Sequence, residues 1–94
     1  MSYKLKFTKL SYKEWNKLDS SVKTQFQKKL KERLENPKVL KDKLSGFENI
    51  YKIKLRTKGF RLAYELKEEE IVVLVLAVGK RENNEIYKNL NNRH

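Results

Sequence analysis

The sequence lacks cysteine altogether, and its single histidine, His94, is the last of the 94 residues. Without thiols the chain cannot form a disulfide, a thiolate metal site or a cysteine nucleophile. A histidine at a chain end, where order is often lost, is a poor general base or metal ligand. We therefore expect no metal, no cofactor and no chemistry based on cysteine or histidine.

Glycine and long apolar runs are also scarce. The three glycines are too far apart to build a phosphate-binding loop. The longest apolar run, residues 71–78, is far shorter than the roughly 20 residues of a membrane-spanning helix, and the first residues lack the apolar core of a secretory signal. We expect a soluble, cytoplasmic protein with one domain over residues 1–94, because so short a chain cannot fill two hydrophobic cores.

Positive charge is what the chain has in excess. Lys and Arg total 23 against 12 Asp and Glu, which gives a net charge of +11. Such an excess opposes compaction and favours a polyanionic partner, with nucleic acid as the first candidate because bound phosphates release counterions. The alternative is that the lysines serve solubility alone, and charge by itself does not decide between the two.

The N-terminal part predicts one strand and two helices. Polar and apolar residues alternate over residues 3–7, as in a half-buried strand. A Ser-x-x-Glu capping box starts at Ser11, flanked by Leu10 and Trp15 as an apolar pair, so a first helix should run from there to about Leu18.

A second helix should begin at the N-cap candidates 19–21 and end at Asn36–Pro37. Its buried face is an apolar stripe with a spacing of four residues, formed by Val22, Phe26, Leu30 and Leu34.

The remaining elements are a connector at 38–50, strands at 51–56, 60–66 and 71–78 with turns at 57–59 and 67–70, and a short helix at 84–90. Residues 71–78 are apolar throughout, which is typical of a strand covered on both faces, and the chain should leave the sheet from Gly79 onwards. The order β-α-α-β-β-β-α predicts an α+β fold, with two helices packed on one face of a mainly antiparallel four-stranded sheet.

Cations are concentrated in the first hairpin of this sheet. Between Tyr51 and Tyr64 there is no acid but there are five cations, Lys52, Lys54, Arg56, Lys58 and Arg61. Alternation places Lys52, Lys54 and Arg56 on one strand face. Like charges on neighbouring strands destabilise a sheet, so a bound polyanion would compensate, although the side chains could also splay into solvent.

These residue types allow chemistry as well as binding. Repulsion from neighbouring cations lowers the pKa of a lysine and can make it a usable general base. Arginine can stabilise the negative charge of a phosphorane-like transition state, and tyrosine can stack on a base. The residues alone leave binding and cleavage equally open.

Several segments together match a known family. They are LSG at 44–46, YKIKLR at 51–56, GFRLAY at 59–64, VGKRE at 78–82 and EIY at 85–87, with KEW at 13–15 and ENP at 35–37. Over essentially its whole length the chain resembles RelE-type toxins of the RelE/ParE superfamily. Lys52, Lys54, Arg81 and Tyr87 match the RelE catalytic set in particular, which the gyrase-poisoning ParE members generally lack.

The resemblance implies a ribosome-dependent endoribonuclease that cuts messenger RNA in the ribosomal A site. Lys54 would take the 2′-OH proton, and Arg81 would protonate or stabilise the leaving 5′-oxygen. Lys52 and Arg61 would hold the scissile phosphate, and Tyr87 would stack on a codon base. The reaction would need no metal and would leave a 2′,3′-cyclic phosphate.

The resemblance also implies partners. These are messenger RNA, the ribosomal A site with its ribosomal RNA, a RelB-like antitoxin, and operator DNA only through the antitoxin complex, with no membrane. Arg56 and Lys80 would add RNA contacts. Ser45 stands where RelE can carry an arginine, which removes one cation from this surface. The alternatives are a gyrase-poisoning toxin of the ParE kind and a nucleic-acid-binding domain without catalysis.

Overall fold

The computed structural model describes residues 2–80, which have the predicted α+β architecture. The elements are β1 (Lys4–Phe7), α1 (Lys9–Asn16), α2 (Ser20–Glu35), a short 3-10 helix (Leu40–Asp42), β2 (Ile50–Leu55), β3 (Phe60–Lys67) and β4 (Val72–Lys80). The predicted helix at 84–90 lies outside the described residues. Within the described part, no helix is long and apolar enough to cross a membrane.

One mixed sheet carries the fold. Its strand order is β1-β4-β3-β2, with β1 parallel to β4 and the other pairs antiparallel. The sheet is therefore mainly antiparallel, as predicted. Strand β2 lies at one edge, so only one side of its backbone is paired with another strand of this sheet.

The larger hydrophobic core lies between this sheet and the two helices. Alternate residues of β2 and β3 point into it and are buried, as the period of two predicts. From α2 the core receives Val22, Phe26 and Leu30, with Leu34 partly buried beside them. The predicted stripe and bounds of the second helix are confirmed, since α2 has Asp19 as N-cap residue and Asn36 as C-cap residue.

The opposite face of the sheet holds a smaller apolar cluster. Ile50, Ala63, Leu76 and Ala77 are buried there, and Leu44 and Phe47 of the connector pack against them. Strand β4 is therefore covered on both faces, which explains its unbroken apolar sequence.

A β-bulge interrupts the pairing of β3 with β4. Ala63 pairs with Ala77 but Tyr64 pairs with Val75, so β4 contains one additional residue, Leu76. Because of this insertion Val75 and Val78 both contribute to the helix-side core although they are three residues apart.

The first helix begins earlier than predicted, at Lys9, and ends at Asn16. Its N-cap residue is Thr8, whose Oγ1 accepts a hydrogen bond from the Ser11 backbone N–H at 3.1 Å. The capping box predicted at Ser11 is wrong, because Ser11 is fully buried and its hydroxyl donates to the Val75 carbonyl at 2.7 Å.

The second member of that predicted box, Glu14, also bonds to β4. Its Oε1 accepts from the Val78 backbone N–H at 3.2 Å. The predicted apolar pair is wrong as well, since Leu10 is exposed, whereas Trp15 packs against the rings of Phe7 and Phe26. Polar side chains of α1 thus bond β4 at the last residue that pairs with β1, Val75, and beyond it, at Val78.

The last strand is displaced relative to its prediction. Ile71 has a φ of 57° and belongs to the turn, so β4 begins at Val72. The strand continues to Lys80, and therefore Gly79 and Lys80 do not leave the sheet but pair with Arg61 and Phe60. Reversing the chain after β3 requires a left-handed residue, which the apolar pattern cannot reveal.

Arg33 of α2 ties the helix to the outer edge of β2. Its Nη1 donates to the Lys52 carbonyl at 3.1 Å and to the Tyr64 hydroxyl at 3.0 Å, and its Nη2 forms a 2.6 Å ion pair with Asp42. The Tyr64 hydroxyl donates in turn to the Pro37 carbonyl at 2.6 Å. Burial raises the pKa of Tyr64, which keeps this donor protonated.

We expect Arg33→Met to lower the free energy of unfolding by about 2 kcal/mol, because it leaves a mostly buried carboxylate and a carbonyl without their donor. Denaturant unfolding of Arg33→Met, Asp42→Asn and the double variant measures this, and we expect a coupling of about 1 kcal/mol. The control is Lys28→Met at an exposed position of α2, expected within about 0.5 kcal/mol of the parent protein. Equal stability of Arg33→Met and the control would contradict the role of this network.

Candidate active site

Three of the predicted site residues lie together on the sheet face that points away from the helices. Lys54 of β2 is directly opposite Arg61 of β3, and Lys52 is opposite Ala63. Since residues two apart on a strand share a face, Lys52, Lys54 and Arg61 form one group, which we call the cationic face. All three side chains are half-buried.

Small residues lie beside these cations. Arg61 pairs with Gly79, and Ala63 pairs with Ala77. Ala63 and Ala77 are themselves buried, in the apolar cluster that Leu44 and Phe47 cover, so the three cations lie at the border of that cluster and their side chains remain partly exposed. Such a surface can accept a flat or extended anionic ligand.

The neighbouring cations change the protonation of Lys54. The pKa of Lys54 is lowered chiefly by charge repulsion from Lys52, and further by a hydrogen bond with Lys52 and by burial. Arg61 and Arg56 lower it by smaller amounts. A lysine of lowered pKa has a larger neutral fraction at a given pH, which is the form that accepts a proton.

Two predicted RNA contacts lie outside the paired part of this face. Arg56 is exposed in the turn that directly follows β2, so it is not a strand residue as predicted, but it stays near Lys54, whose pKa it helps to lower. Lys80 pairs with Phe60, whose ring packs against the helix-side core. It therefore belongs to the other side of the sheet and borders a hollow shared with Glu14 and Lys17 of α1.

The remaining predicted residues, Arg81 and Tyr87, lie outside the described residues. Over residues 2–80 no group of three or more His, Asp or Glu side chains is arranged to hold a metal ion.

Sequence reasoning missed the residues that hold the site in place. In the sequence Arg33 is one more cation on a lysine-rich helix, and Asp42 looks like a solvated acid in a connector. Their pairing joins α2 to a segment nine residues away in the chain. For Glu14 the sequence did indicate a hydrogen-bonding role. The capping-box pattern, however, predicted that its carboxylate would bond the start of the first helix, whereas it bonds the Val78 N–H of β4.

The two ends of the sheet carry opposite charge. Lys54, Arg56 and Arg61 lie where β2 passes into β3. At the other end, the turn between β3 and β4 contains Glu68, Glu69 and Glu70, which border a hollow with Glu65. We call this second region the acidic turn. It is exposed, and two of its carboxylates form ion pairs, that of Glu68 with Lys38 and that of Glu70 with Lys67.

Comparison with known proteins gives one consistent result. A family model described as the ParE toxin of type II toxin–antitoxin systems matches residues 5–85. The mRNA interferase toxin RelE of Escherichia coli K12 is 49% identical over 87 residues, which cover 93% of this chain and 92% of that protein. The mRNA interferase RelE of Shigella flexneri matches to the same extent.

Solved structures agree with the sequence comparison. Free E. coli RelE carrying two arginine-to-alanine substitutions superposes with a TM-score of 0.92 at 46% identity, covering 99% of this chain and 98% of that one. The toxin in the intact E. coli RelBE toxin–antitoxin complex gives a TM-score of 0.84 at 48% identity, covering 87% and 100%. Because the family model spans most of the sequence and these relatives align over nearly their whole length, the chain belongs to the ParE toxin family of type II toxin–antitoxin systems, among its RelE-like members.

Proposed function

We propose that this protein is the toxin of a type II toxin–antitoxin system and acts as an endoribonuclease that cuts messenger RNA in the ribosomal A site. The observation that carries the proposal is the cationic face. Lys54 lies directly opposite Arg61, beside Lys52, on a sheet surface bordered by alanine and glycine. The 49% identity to a protein named as an mRNA interferase supports RNA as the substrate.

The proposed chemistry is transfer of the phosphodiester within the RNA. Neutral Lys54 takes the proton of a ribose 2′-OH, and the 2′-oxygen then attacks the adjacent phosphorus. The bond from phosphorus to the 5′-oxygen breaks, and the products are a 2′,3′-cyclic phosphate and a 5′-OH. Lys52 and Arg61 stabilise the added negative charge on the phosphate oxygens.

The resemblance to RelE assigns the other steps. Arg81 protonates or stabilises the leaving 5′-oxygen, and Tyr87 stacks on a base of the codon. Arg56, beyond the end of β2, contacts the backbone of the same RNA. Lys80, on the helix side, contacts a different part of the nucleic acid from the scissile phosphate.

This set of residues explains a dependence on the ribosome. Lysine and arginine are weaker acid–base catalysts near neutral pH than a pair of histidines would be. Fixing the 2′-oxygen in line with the phosphorus lowers the barrier independently of acid–base strength. A ribosome that holds the codon in such a geometry supplies what the side chains do not.

We further propose a RelB-like antitoxin as the cytoplasmic partner of this toxin, with operator DNA bound only through their complex. Support comes from the E. coli relative, which has been solved as the intact RelBE complex and aligns along its whole toxin chain. A toxin with a net charge of +11 is suited to an acidic antitoxin segment.

Two other functions are compatible with the family. A gyrase poison of the ParE kind would need no general base, and a non-catalytic RNA-binding domain would need only the charge. The lowered pKa of Lys54, together with its position opposite Arg61, favours catalysis over both.

We expect Lys54→Ala to lower the cleavage rate by about 10²-fold or more, the usual contribution of a general base, while ribosome binding is retained. The assay is primer extension on a translated messenger with purified protein, with and without ribosomes. The control is Lys6→Ala, since Lys6 lies on β1 at the opposite edge of the sheet.

Cuts by the parent protein should appear only with ribosomes and within A-site codons. Cuts on naked RNA would instead identify a free ribonuclease. If neither condition gives cuts, the nuclease proposal fails and gyrase inhibition becomes the leading explanation.

We expect Lys52→Gln to raise the pKa of Lys54, because it removes the cation that contributes most to the lowering. At a given pH less Lys54 is then neutral, so the rising limb of the single-turnover rate against pH moves to higher pH. NMR titration of the lysine side chains reads the same pKa independently of catalysis. Lys6→Gln should leave both midpoints in place, and an unchanged or lower midpoint in Lys52→Gln would contradict this coupling.

A further inference from the structure

A second charged depression lies beside the cationic face. It is a groove of about 510 Å³ between α2 and the outer edge of β2. Six cations line it, namely Lys29, Arg33, Lys41, Lys52, Lys54 and Arg56. Neither the sequence pattern nor the proposed chemistry accounts for Lys29 and Lys41.

The groove carries a surplus of positive charge. Among the residues that the structure describes, its acids are Glu32 and Asp42, so six cations against two acids leave a surplus of four. The Asp42 carboxylate is already paired with Arg33 at 2.6 Å and does not neutralise the lysines. A phosphate entering the groove would thus meet cations that the protein itself leaves largely uncompensated.

The groove is also preformed by the fold. Lys29 comes from α2, Lys41 from the 3-10 helix and Arg56 from the turn after β2, so three separate elements converge on it. Arg33 fixes their relative position through its bonds to Asp42 and to the Lys52 carbonyl. This convergence differs from a helix that merely points lysines into solvent.

Lys52 and Lys54 belong to both surfaces. They contribute to the cationic face and also line the groove, because β2 is the edge strand and no further strand separates the two. An extended polyanion on the cationic face can therefore continue over the edge of β2 into the groove.

We propose that this groove binds the sugar–phosphate backbone of RNA next to the cleavage site, with Lys29 and Lys41 contacting phosphates. The proposal rests on the proposed function and deepens it by adding a second RNA subsite. An acidic peptide fits less well, since among residues 2–80 the lining has only two apolar side chains, Val39 and Ile53. The RNA can come from the messenger or from the ribosome, since both present the same backbone.

The test compares two double variants of equal charge. Lys29→Gln/Lys41→Gln alters the groove, whereas Lys4→Gln/Lys31→Gln removes two exposed lysines on β1 and α2 that do not line it. Binding is measured over a salt series with two probes, a single-stranded RNA oligonucleotide and ribosomes with an empty A site. Binding of an acidic antitoxin peptide is measured in parallel.

We expect the groove variant to bind RNA about tenfold more weakly, and its slope of log affinity against log salt to fall by about 1. In the ribosome-dependent cleavage assay its loss should fall mainly on KM. The control variant should keep most of its affinity and its slope. Weakening with the oligonucleotide identifies messenger RNA as the ligand, and weakening with ribosomes alone identifies ribosomal RNA.

Equal losses in the two double variants would overturn the proposal, because net charge alone would then explain binding. A loss confined to the antitoxin peptide would also overturn it and identify the groove as a protein-docking surface. Failure of the groove proposal and failure of the proposed nuclease function give different results. If the parent protein cuts no RNA, the nuclease proposal fails, and the salt series still decides whether the groove binds RNA.

Discussion

The position of the candidate site depends on how Arg33 holds the outer edge of β2. An edge strand has free carbonyl and N–H groups, and here the strand also carries two lysines that repel each other and Arg61. The Arg33 guanidinium bonds the Lys52 carbonyl where a further strand would otherwise pair. Through Asp42 and Tyr64 the same group anchors the connector and the helix-side core. The mostly buried Arg33 thus fixes the position of the strand from which Lys52 and Lys54 project.

The sequence predicted most of the fold because its periods are clear. Polar and apolar residues alternate through β2 and β3, and the stripe of α2 repeats every four residues, so element type and facing followed directly. The errors have local causes. Ser11 and Glu14 fit a capping box, yet both bond the backbone of β4, which is distant in the chain. The left-handed turn residue Ile71 was hidden within an unbroken apolar run.

The candidate site was predictable where it depends on one hairpin. Lys52, Lys54 and Arg61 could be grouped because a strand period and a short turn fix their relation. The bulge at Leu76, which determines the facing of Gly79 and Lys80, leaves no mark in a run of apolar residues. The groove could not be foreseen either, since Lys29 and Lys41 meet only when α2 and the connector fold against β2.

The separation of charge along the sheet has a consequence for how the protein meets its target. Over residues 2–80, with cations at the hairpin end and the acidic turn at the far end, positive charge is concentrated toward the hairpin. The field of a nearby polyanion exerts a torque on this uneven charge, which turns the hairpin end toward the polyanion before contact and disfavours encounters through the other end. Pre-alignment of this kind raises the association rate, and the gain is lost as added salt shortens the range of the field.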